Sequence, residues 1–246
     1  SAKLAVILTD YAPHKFWESS SEEVDLYFVA NEQMKYILKN DGIEETKIYV
    51  TGIPVRPEFL EKYDRDFILE DLNLSKDKKT FLIFGGGQYG MSNISSIFKE
   101  LLNVSQDIQI IFVAGKTQSL QNKIKKLSES SNKKVVILGY TNRVAELMSV
   151  SDFVISKPGG LTTTEILTMN IPFIIINPVP GQEEENSAFL TNNGAGIRLY
   201  SSKNATPIFE HLIKDDFRIN QMKIMQKYIA KPNSTKEIVE TILNKL

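Results

Sequence analysis

The sequence contains no cysteine, and this absence excludes several kinds of site. Disulfide bridges, thiolate zinc sites and cysteine nucleophiles all require that residue. The formal net charge of −1 provides no global field that would attract nucleic acid, so we expect no nucleic-acid partner. The chain has only two histidines, and no cluster of histidines and carboxylates indicates a required metal ion.

Long apolar runs are also missing. The longest, such as residues 172–179, are far shorter than the ~20 residues that cross a bilayer. The chain begins Ser1-Ala2, without an initiator methionine, and leads almost directly into the apolar segment Leu4–Leu8. Neither a signal peptide nor a transit peptide has this pattern. We therefore expect an internal fragment that follows a cloning scar.

Apolar segments alternate with helical patterns along the 246 residues, of which 42% are hydrophobic and 24% charged. Strands are predicted at residues 4–8, 25–30, 47–51, 80–84, 109–114, 134–138, 153–156 and 172–177. Helices are predicted at residues 32–41, 92–102, 119–128, 143–149 and 162–169, and the end of the chain is predicted to be helical. Nearly all-apolar strands separated by helices are typical of parallel sheets covered on both faces, so the fold class is α/β.

The predicted strands divide the chain unevenly. Residues 78–228 suffice for a complete doubly wound domain, whereas residues 1–57 hold too few strands and resemble the tail of a truncated one. Residues 58–77 are charged with little periodicity and are interpreted as a linker. Residues 229–246 are interpreted as a C-terminal helix that packs back toward the first domain.

The first glycine motif is Gly85-Gly-Gly-Gln-Tyr-Gly90, between a predicted strand and a predicted helix. It allows a backbone to approach a phosphate, or it is only a tight turn. A dinucleotide site would need an acidic residue at the end of the next strand, and Val113-Ala-Gly-Lys116 lacks one. Gly115-Lys-Thr117 suggests a P-loop, but Ile110 stands where its first glycine belongs. Both the dinucleotide-site interpretation and the P-loop interpretation are therefore disfavoured.

The second motif is Lys157-Pro-Gly-Gly-Leu-Thr-Thr-Thr-Glu165, which follows a buried strand. A helix that starts here would offer its amides and its dipole to an anion, and Glu165 could accept hydrogen bonds from ribose hydroxyls. The alternative makes Thr162 a helix N-cap and Glu165 its capping-box partner. The two glycines at the carboxyl end of a strand favour the ligand site.

A third segment, Pro178-Val-Pro-Gly-Gln-Glu-Glu-Glu-Asn186, follows the next strand. It brings two amides and three carboxylates to the same sheet edge, where they suit sugar hydroxyls. The alternative is a solvated acidic loop that begins a helix, since glutamate is favourable in a first turn. The segment alone does not decide between them.

Taken in order, the motifs closely resemble the diacylglycerol glycosyltransferases, which comprise plant-type monogalactosyldiacylglycerol synthases and bacterial processive diacylglycerol glucosyltransferases and are relatives of MurG. The resemblance covers essentially the whole chain and rests on these segments: Thr9-Asp-Tyr-Ala-Pro-His-Lys-Phe-Trp17, Thr51-Gly-Ile-Pro-Val-Arg56, Gly85-Gly-Gly-Gln88, Leu138-Gly-Tyr-Thr141, Lys157-Pro-Gly-Gly-Leu-Thr162, Asn177-Pro-Val-Pro-Gly-Gln-Glu-Glu184, Asn193-Gly-Ala-Gly196 and Lys231-Pro-Asn-Ser234.

The resemblance implies the GT-B arrangement, in which two Rossmann-like domains face each other across a cleft. The nucleotide lies on the C-terminal domain, and the acceptor lipid approaches from the N-terminal one. The resemblance implies these nucleotide-binding residues: Arg56, Gly86, Gly87, Gln88, Tyr140, Gly159, Gly160, Leu161, Thr162 and Glu165. Gln182, Glu183 and Asn186 are implied to bind the sugar.

The activity implied is inverting transfer of a hexose from UDP-glucose or UDP-galactose, which is a substrate and not a cofactor, to diacylglycerol at a membrane surface. His14 is the candidate general base, since its ordinary pKa of ~6.5 suits the task. Asp10 would orient His14 or act as the base itself. The resemblance places the protein in the cytoplasm, peripherally on the inner face of the cell membrane.

Three alternatives stay open at this point. One is MurG-like transfer of N-acetylglucosamine to a polyprenyl-linked acceptor. The second is a fragment that binds UDP-sugar but is inactive without its missing N-terminal part. The third is a non-transferring relative, such as a UDP-sugar epimerase, which shares the fold but not these loops.

Overall fold

The computed structural model describes residues 2–13, 23–85 and 93–245. Within these ranges the strands form two separate sheets, and every strand pair is parallel. The fold is therefore α/β with parallel sheets, as the alternation of apolar segments and helices predicted.

The first sheet has three strands in the order β1-β2-β3. They are β1 (Ala5–Ile7), β2 (Leu26–Val29) and β3 (Ile48–Val50), with α1 (Glu32–Asn40) between the last two. The side chain of Asn31 caps α1 by accepting a hydrogen bond from the Met34 amide at 2.9 Å. The predicted strands and helix are thus present, each shorter by one or two residues at its ends.

The second sheet has six strands in the order β6-β5-β4-β7-β8-β9. They are β4 (Lys79–Phe84), β5 (Ile108–Val113), β6 (Lys134–Leu138), β7 (Phe153–Ser156), β8 (Phe173–Ile176) and β9 (Ile197–Leu199). The strands β5, β7 and β8 are buried along their whole length, which explains their continuous apolar sequences.

Helices cover both faces of this sheet. The helices that follow the first sheet are α2 (Arg65–Asp71), α3 (Ile94–Leu102), α4 (Gln118–Ser128), α5 (Val144–Ser149), α6 (Gly160–Met169), α7 (Gln182–Asn192), α8 (Thr206–Lys214) and α9 (Asp216–Ile229), together with α10 (Ser234–Lys245), which packs against the first sheet. Short 3₁₀ turns lie at Glu45–Lys47 and Pro57–Leu60.

Two parts of the structure differ from the sequence prediction. The strand β9 lies in the C-terminal segment that was predicted to be helical, because three residues at a sheet edge carry too little pattern to be recognised. The segment 58–77, interpreted as a linker, contains α2 and buries Phe59 and Leu69 in the largest apolar cluster. The predicted domain boundaries themselves stay a prediction.

The chain returns to the first sheet at its C-terminal end. Ile238 of α10 packs in one buried cluster with Leu26 and Phe28 of β2. Just before α10, the chain passes so close to Gly52 that a Cβ atom there would lie 2.3 Å from Lys231 Cβ. Gly52 also has φ +84°, so glycine is required at this position for both reasons.

Candidate nucleotide-sugar site

The strand order of the second sheet reverses between β4 and β7. Open α/β sheets bind ligands outside the carboxyl ends of their strands at such a point. The loops that follow Phe84 and Ser156 flank this point, since these residues end β4 and β7. The topology thus places Gly85, the first residue of the first glycine motif, and the second glycine motif at one position on the sheet edge.

The first glycine motif lies mostly outside the described residues, including the predicted diphosphate contacts Gly86, Gly87 and Gln88. Gly85 is described, and its amide donates to the Val113 carbonyl at 2.9 Å. A Cβ atom on Gly85 would lie 2.4 Å from the Phe112 ring. Packing inside the sheet therefore requires glycine at this position, independently of any ligand.

The second glycine motif forms the start of α6. The helix begins at Gly160, its N-cap is Gly159, and no side chain caps it. The alternative in which Thr162 is the N-cap and Glu165 its partner is therefore wrong, because Thr162 is already the third residue of the helix. The first amides of α6 are left for an external acceptor, and the helix dipole adds to their attraction for an anion.

A cleft of about 320 Å³ opens beside this helix start. A Cβ atom on Gly159 would meet no atom within 4 Å, so Gly159 faces open space. The predicted site residues that line the cleft are Arg56, Gly159, Thr162, Glu165 and Glu183. Lys157 also lines it. It belongs to the motif, but no role was predicted for it.

Arg56 and Glu165 face each other in the cleft, with Arg56 Nη2 3.9 Å from Glu165 Oε1. The other guanidinium nitrogen, Nη1, lies 3.0 Å from Glu58 Oε1. Burial raises the pKa of the Glu165 carboxyl to about 7, Arg56 opposes this rise, and Glu58 adds to it. Glu165 therefore changes its charge near neutral pH, next to the cation predicted for the diphosphate.

Glu183 is held at the opposite wall of the cleft. Its Oε2 atom accepts the Val179 amide at 2.7 Å and lies 3.8 Å from Lys157 Nζ. Lys157 is mostly buried, with 23% of its side chain exposed. An ordered carboxylate beside a fixed ammonium group can accept hydrogen bonds from sugar hydroxyls, as predicted for this residue.

The residues of the acidic segment have different surroundings in the structure. Gln182, the first residue of α7, is exposed and does not line the cleft. Glu184 accepts two hydrogen bonds from Arg198 of β9, at 2.5 and 2.8 Å, and its carboxylate is therefore committed to the protein. Arg198 also lies over the Tyr200 ring, 4.7 Å from its centroid.

Asn186, the third predicted sugar ligand, is fully buried. Its Nδ2 atom donates to Asp10 Oδ1 at 2.8 Å and to the Pro158 carbonyl at 2.9 Å. Its Oδ1 atom accepts the Tyr11 amide at 2.7 Å. These contacts direct Asn186 toward the junction between the two sheets rather than into the cleft.

Asp10, the second candidate catalytic residue, lies beside the start of α6. A Cβ atom on Gly160 would come within 2.9 Å of Asp10 Oδ1 and 1.8 Å of the Thr9 carbonyl oxygen. The segment after β1 therefore touches the helix that would receive the phosphates. His14 lies outside the described residues, so its role stays a prediction.

Two other predicted residues lie away from the cleft lining. Tyr140 follows β6, at the far edge of the sheet, and is 68% exposed. The Lys116 ammonium lies 5.4 Å from the centroid of its ring. Leu161, the second residue of α6, is 57% exposed. Their assignment to the nucleotide stays a prediction.

The structure brings in residues that sequence reasoning did not assign. Tyr11 and Thr164 are both buried and join the two sheets through a hydrogen bond of 2.9 Å between their hydroxyl groups. Their separation of 153 residues leaves no local pattern, so only the fold reveals the pair. Among residues 2–13, 23–85 and 93–245, no group of three or more potential metal ligands comes together, and no helix has the length and hydropathy of a membrane span.

Comparison with known proteins identifies two family models along the chain. Residues 80–242 match the C-terminal domain of glycosyltransferase family 28, and residues 2–55 match monogalactosyldiacylglycerol (MGDG) synthase. The first match covers more than half of the chain and includes the second sheet and all of the cleft residues except Arg56.

Similar curated proteins include the processive diacylglycerol beta-glucosyltransferases of Bacillus cereus (strain AH187) and Bacillus licheniformis. Each is 34% identical over 237 residues, which is 96% of this chain. The matched region is 60% of the first protein and 61% of the second. The chain therefore spans about three fifths of the length of these relatives.

Solved structures with the same fold include Acinetobacter baumannii MurG, with a TM-score of 0.70 and 16% identity, covering 98% of this chain and 67% of that one. A co-structure of S. aureus MnaA with UDP has a TM-score of 0.75 at 16% identity, covering 100% and 70%. Likeness at this identity shows the fold alone, which is of the GT-B type. Together with the family model over residues 80–242, it shows that the chain belongs to glycosyltransferase family 28.

Proposed function

We propose that the protein to which this chain belongs transfers a hexose from a UDP-sugar to diacylglycerol and so makes a membrane glycolipid. The observation that carries the proposal is one cleft that combines the open start of α6 with Arg56 and Glu165. The name of the relatives that are 34% identical supports diacylglycerol as the acceptor and favours glucose over galactose.

The cleft suits a nucleoside diphosphate for physical reasons. The amides at the start of α6 and the Arg56 guanidinium supply hydrogen bonds and positive potential to the two phosphates. Glu165 lies in the second turn of the same helix, where its carboxylate can accept the ribose hydroxyls. A neighbour of the same fold was solved with UDP, which supports the proposal that this cleft binds a uridine nucleotide.

The proposed reaction is a single displacement with inversion. The acceptor hydroxyl oxygen bonds to the anomeric carbon while the bond from that carbon to the diphosphate oxygen breaks, and UDP leaves. The hydroxyl proton passes to a base, which we propose is His14 or Asp10. Charge that builds on the leaving diphosphate is stabilised by the α6 amides and by Arg56, both already oriented before the reaction.

We also propose that the protein works at the inner face of the cell membrane as a peripheral cytoplasmic enzyme. UDP-sugars are water-soluble, whereas diacylglycerol is confined to the bilayer. The enzyme must therefore meet both at the membrane surface.

The function is tested with the full-length gene product and vesicles that contain diacylglycerol. UDP-glucose, UDP-galactose and UDP-N-acetylglucosamine are supplied separately, and lipid products are identified by mass spectrometry. We expect hexosyl-diacylglycerol, with UDP-glucose the best donor, and no product from vesicles without diacylglycerol. In parallel vesicles that contain a polyprenyl-linked lipid, transfer only from UDP-N-acetylglucosamine would support the MurG-like alternative instead. Interconversion of UDP-sugars without transfer would indicate an epimerase.

A pH dependence of UDP binding follows from the pKa of Glu165. If the ionised carboxylate accepts the ribose hydroxyls, affinity rises as pH increases through about 7, where the folded protein loses this proton. A group with this pKa is about 10% ionised at pH 6 and about 90% at pH 8, so we expect up to about a ninefold change in Kd. Isothermal titration calorimetry across this range measures it.

The control variant is Glu165→Gln, which keeps the shape and one acceptor but cannot ionise. UDP itself titrates in this range, and its contribution is the same for both proteins. The difference between the two pH profiles therefore isolates Glu165. If the UDP affinities of the two proteins change with pH in parallel, the Glu165 carboxylate does not take part in ribose recognition.

A further inference from the structure

We infer that Asn186 is a positioning residue that fixes Asp10 and the segment after β1 against the donor-binding helix α6. The inference rests on the proposed function, because it concerns the residue that would remove or help to remove the acceptor proton. It goes beyond the predicted sugar contact, since no atom of Asn186 lines the cleft.

The amide of Asn186 joins three separate parts of the chain. Its two hydrogen bonds as a donor go to Asp10, after β1, and to Pro158, after β7. Its oxygen accepts the Tyr11 amide. Because the side chain is 0% exposed, solvent water is not in place to substitute for any of these bonds. The Asn186 side chain on α7 thus fixes the loop after β1 of the first sheet relative to the loop after β7 of the second sheet.

Tyr11 strengthens the same junction. The Thr164 hydroxyl donates to the Gly160 carbonyl at 2.8 Å, so the Tyr11 hydroxyl is the donor in its 2.9 Å bond to Thr164. The Tyr11 ring stacks on Phe189 with centroids 4.8 Å apart. Asn31 donates to the Tyr11 carbonyl at 3.0 Å. Every polar atom of Tyr11 therefore has a partner, and its backbone is fixed directly after Asp10.

This arrangement has a specific consequence for catalysis. Asp10 accepts a hydrogen bond from Asn186 and lies against the start of α6, where the leaving diphosphate is proposed to bind. Misplacement of a catalytic group by about 1 Å can lower a rate about 10²-fold. Loss of the Asn186 amide should therefore slow turnover far more than it weakens nucleotide binding, because no atom of Asn186 lines the cleft.

The test compares Asn186→Ala with Asn193→Ala in the full-length protein. Asn193 ends the same helix and donates within it, to the Phe189 carbonyl at 2.8 Å, without touching Asp10. We expect kcat of Asn186→Ala to fall about tenfold or more, with the donor KM and the Kd for UDP within about twofold. Asn193→Ala should behave as wild type. An unchanged kcat, whether or not UDP binding is weaker, would overturn the inference.

A double-mutant cycle separates positioning from a purely structural role. If Asn186 acts through Asp10, Asn186→Ala adds no further loss of kcat in an Asp10→Ala background. Additive losses would mean that Asn186 acts elsewhere. Should Asn186→Ala fold poorly, Asn186→Ser, which keeps a hydroxyl donor, is measured in the same cycle.

Amide hydrogen exchange at Tyr11 gives a reading that does not depend on activity. The Tyr11 N–H is buried against Asn186 in the wild type, so we expect slow exchange that becomes at least about tenfold faster in Asn186→Ala. Equal exchange rates would contradict the contact. A wild-type protein that shows slow exchange but transfers no hexose would refute the proposed function and leave the junction standing.

Discussion

Replacing Gly160 with alanine is expected to lower the midpoint of thermal unfolding by about 2–12 °C, and to weaken UDP binding as well. The added Cβ atom would lie 1.8 Å from the Thr9 carbonyl oxygen, which belongs to the backbone and cannot rotate away. Overpacking of this kind typically costs about 1–3 kcal/mol, and each kcal/mol corresponds to about 2–4 °C in a chain of this size. Differential scanning calorimetry and UDP titration measure the two effects.

Gly159→Ala is the matched control for this substitution. Its φ of −63° and ψ of 145° suit alanine, and no atom lies within 4 Å of the added carbon. We expect the thermal midpoint to stay within about 1 °C, because nothing is displaced. UDP binding should nevertheless weaken, since the methyl group enters the cleft where phosphates are proposed to approach the helix. A Gly160→Ala protein as stable as wild type would contradict the close contact between Thr9 and α6.

The second large effect is expected at the predicted base. His14→Ala in the full-length protein should lower kcat by about 10²–10⁴-fold, the usual contribution of general base catalysis. The Kd for UDP should not change, because the proposed nucleotide contacts come from the second sheet and from Arg56. Transfer rates with saturating UDP-sugar, together with UDP titration, measure both quantities.

His211 provides the control, because it is the only other histidine in the sequence. It lies in α8, 3.3 Å from Asp215, with 66% of its side chain exposed. His211→Ala should therefore retain wild-type turnover. Asp10→Asn distinguishes the two candidates for the base. If Asp10 is the base, this variant loses turnover and His14→Ala keeps most of it. Near-normal turnover of His14→Ala would remove His14 from the mechanism.

The parts of the fold that could be predicted are those in which local sequence and burial agree. Strand β7 occurs at the predicted residues, 153–156, because a parallel strand covered on both faces needs an uninterrupted apolar segment. The position of the cleft followed from the same reasoning, since the carboxyl ends of parallel strands meet at one edge. Strand β9 escaped detection because Ile197-Arg-Leu199 is short and only partly buried.

Several of the residues predicted for the site do come together in space, whereas the start of the helix beside them was predicted less accurately. Gly159, Thr162, Glu165 and Glu183 line one cleft, as a sequence of adjacent sheet-edge loops indicates. The start of α6 was placed two residues late, at Thr162, because Gly159 and Gly160 were interpreted as a turn before the helix.

The roles of the residues in the acidic segment could not be predicted, because they depend on partners elsewhere in the chain. Glu184 is bound by Arg198, and Asn186 by Asp10 and Tyr11, at separations of 14 to 176 residues. Such contacts are set by the packing of whole elements. The local sequence around Gln182 to Asn186 indicates only that polar groups are present, and it does not indicate which of them face a ligand.

The contact between Gly52 and Lys231 has a mechanical meaning for the molecule. The chain passes between the two sheets once after β3 and again before α10, and at Gly52 these two passages lie directly against each other. Because the two crossings touch here, we expect any rotation of one sheet relative to the other to be centred near Gly52. A side chain at position 52 would force the two crossings apart. They would then connect the sheets at two separate points rather than at one.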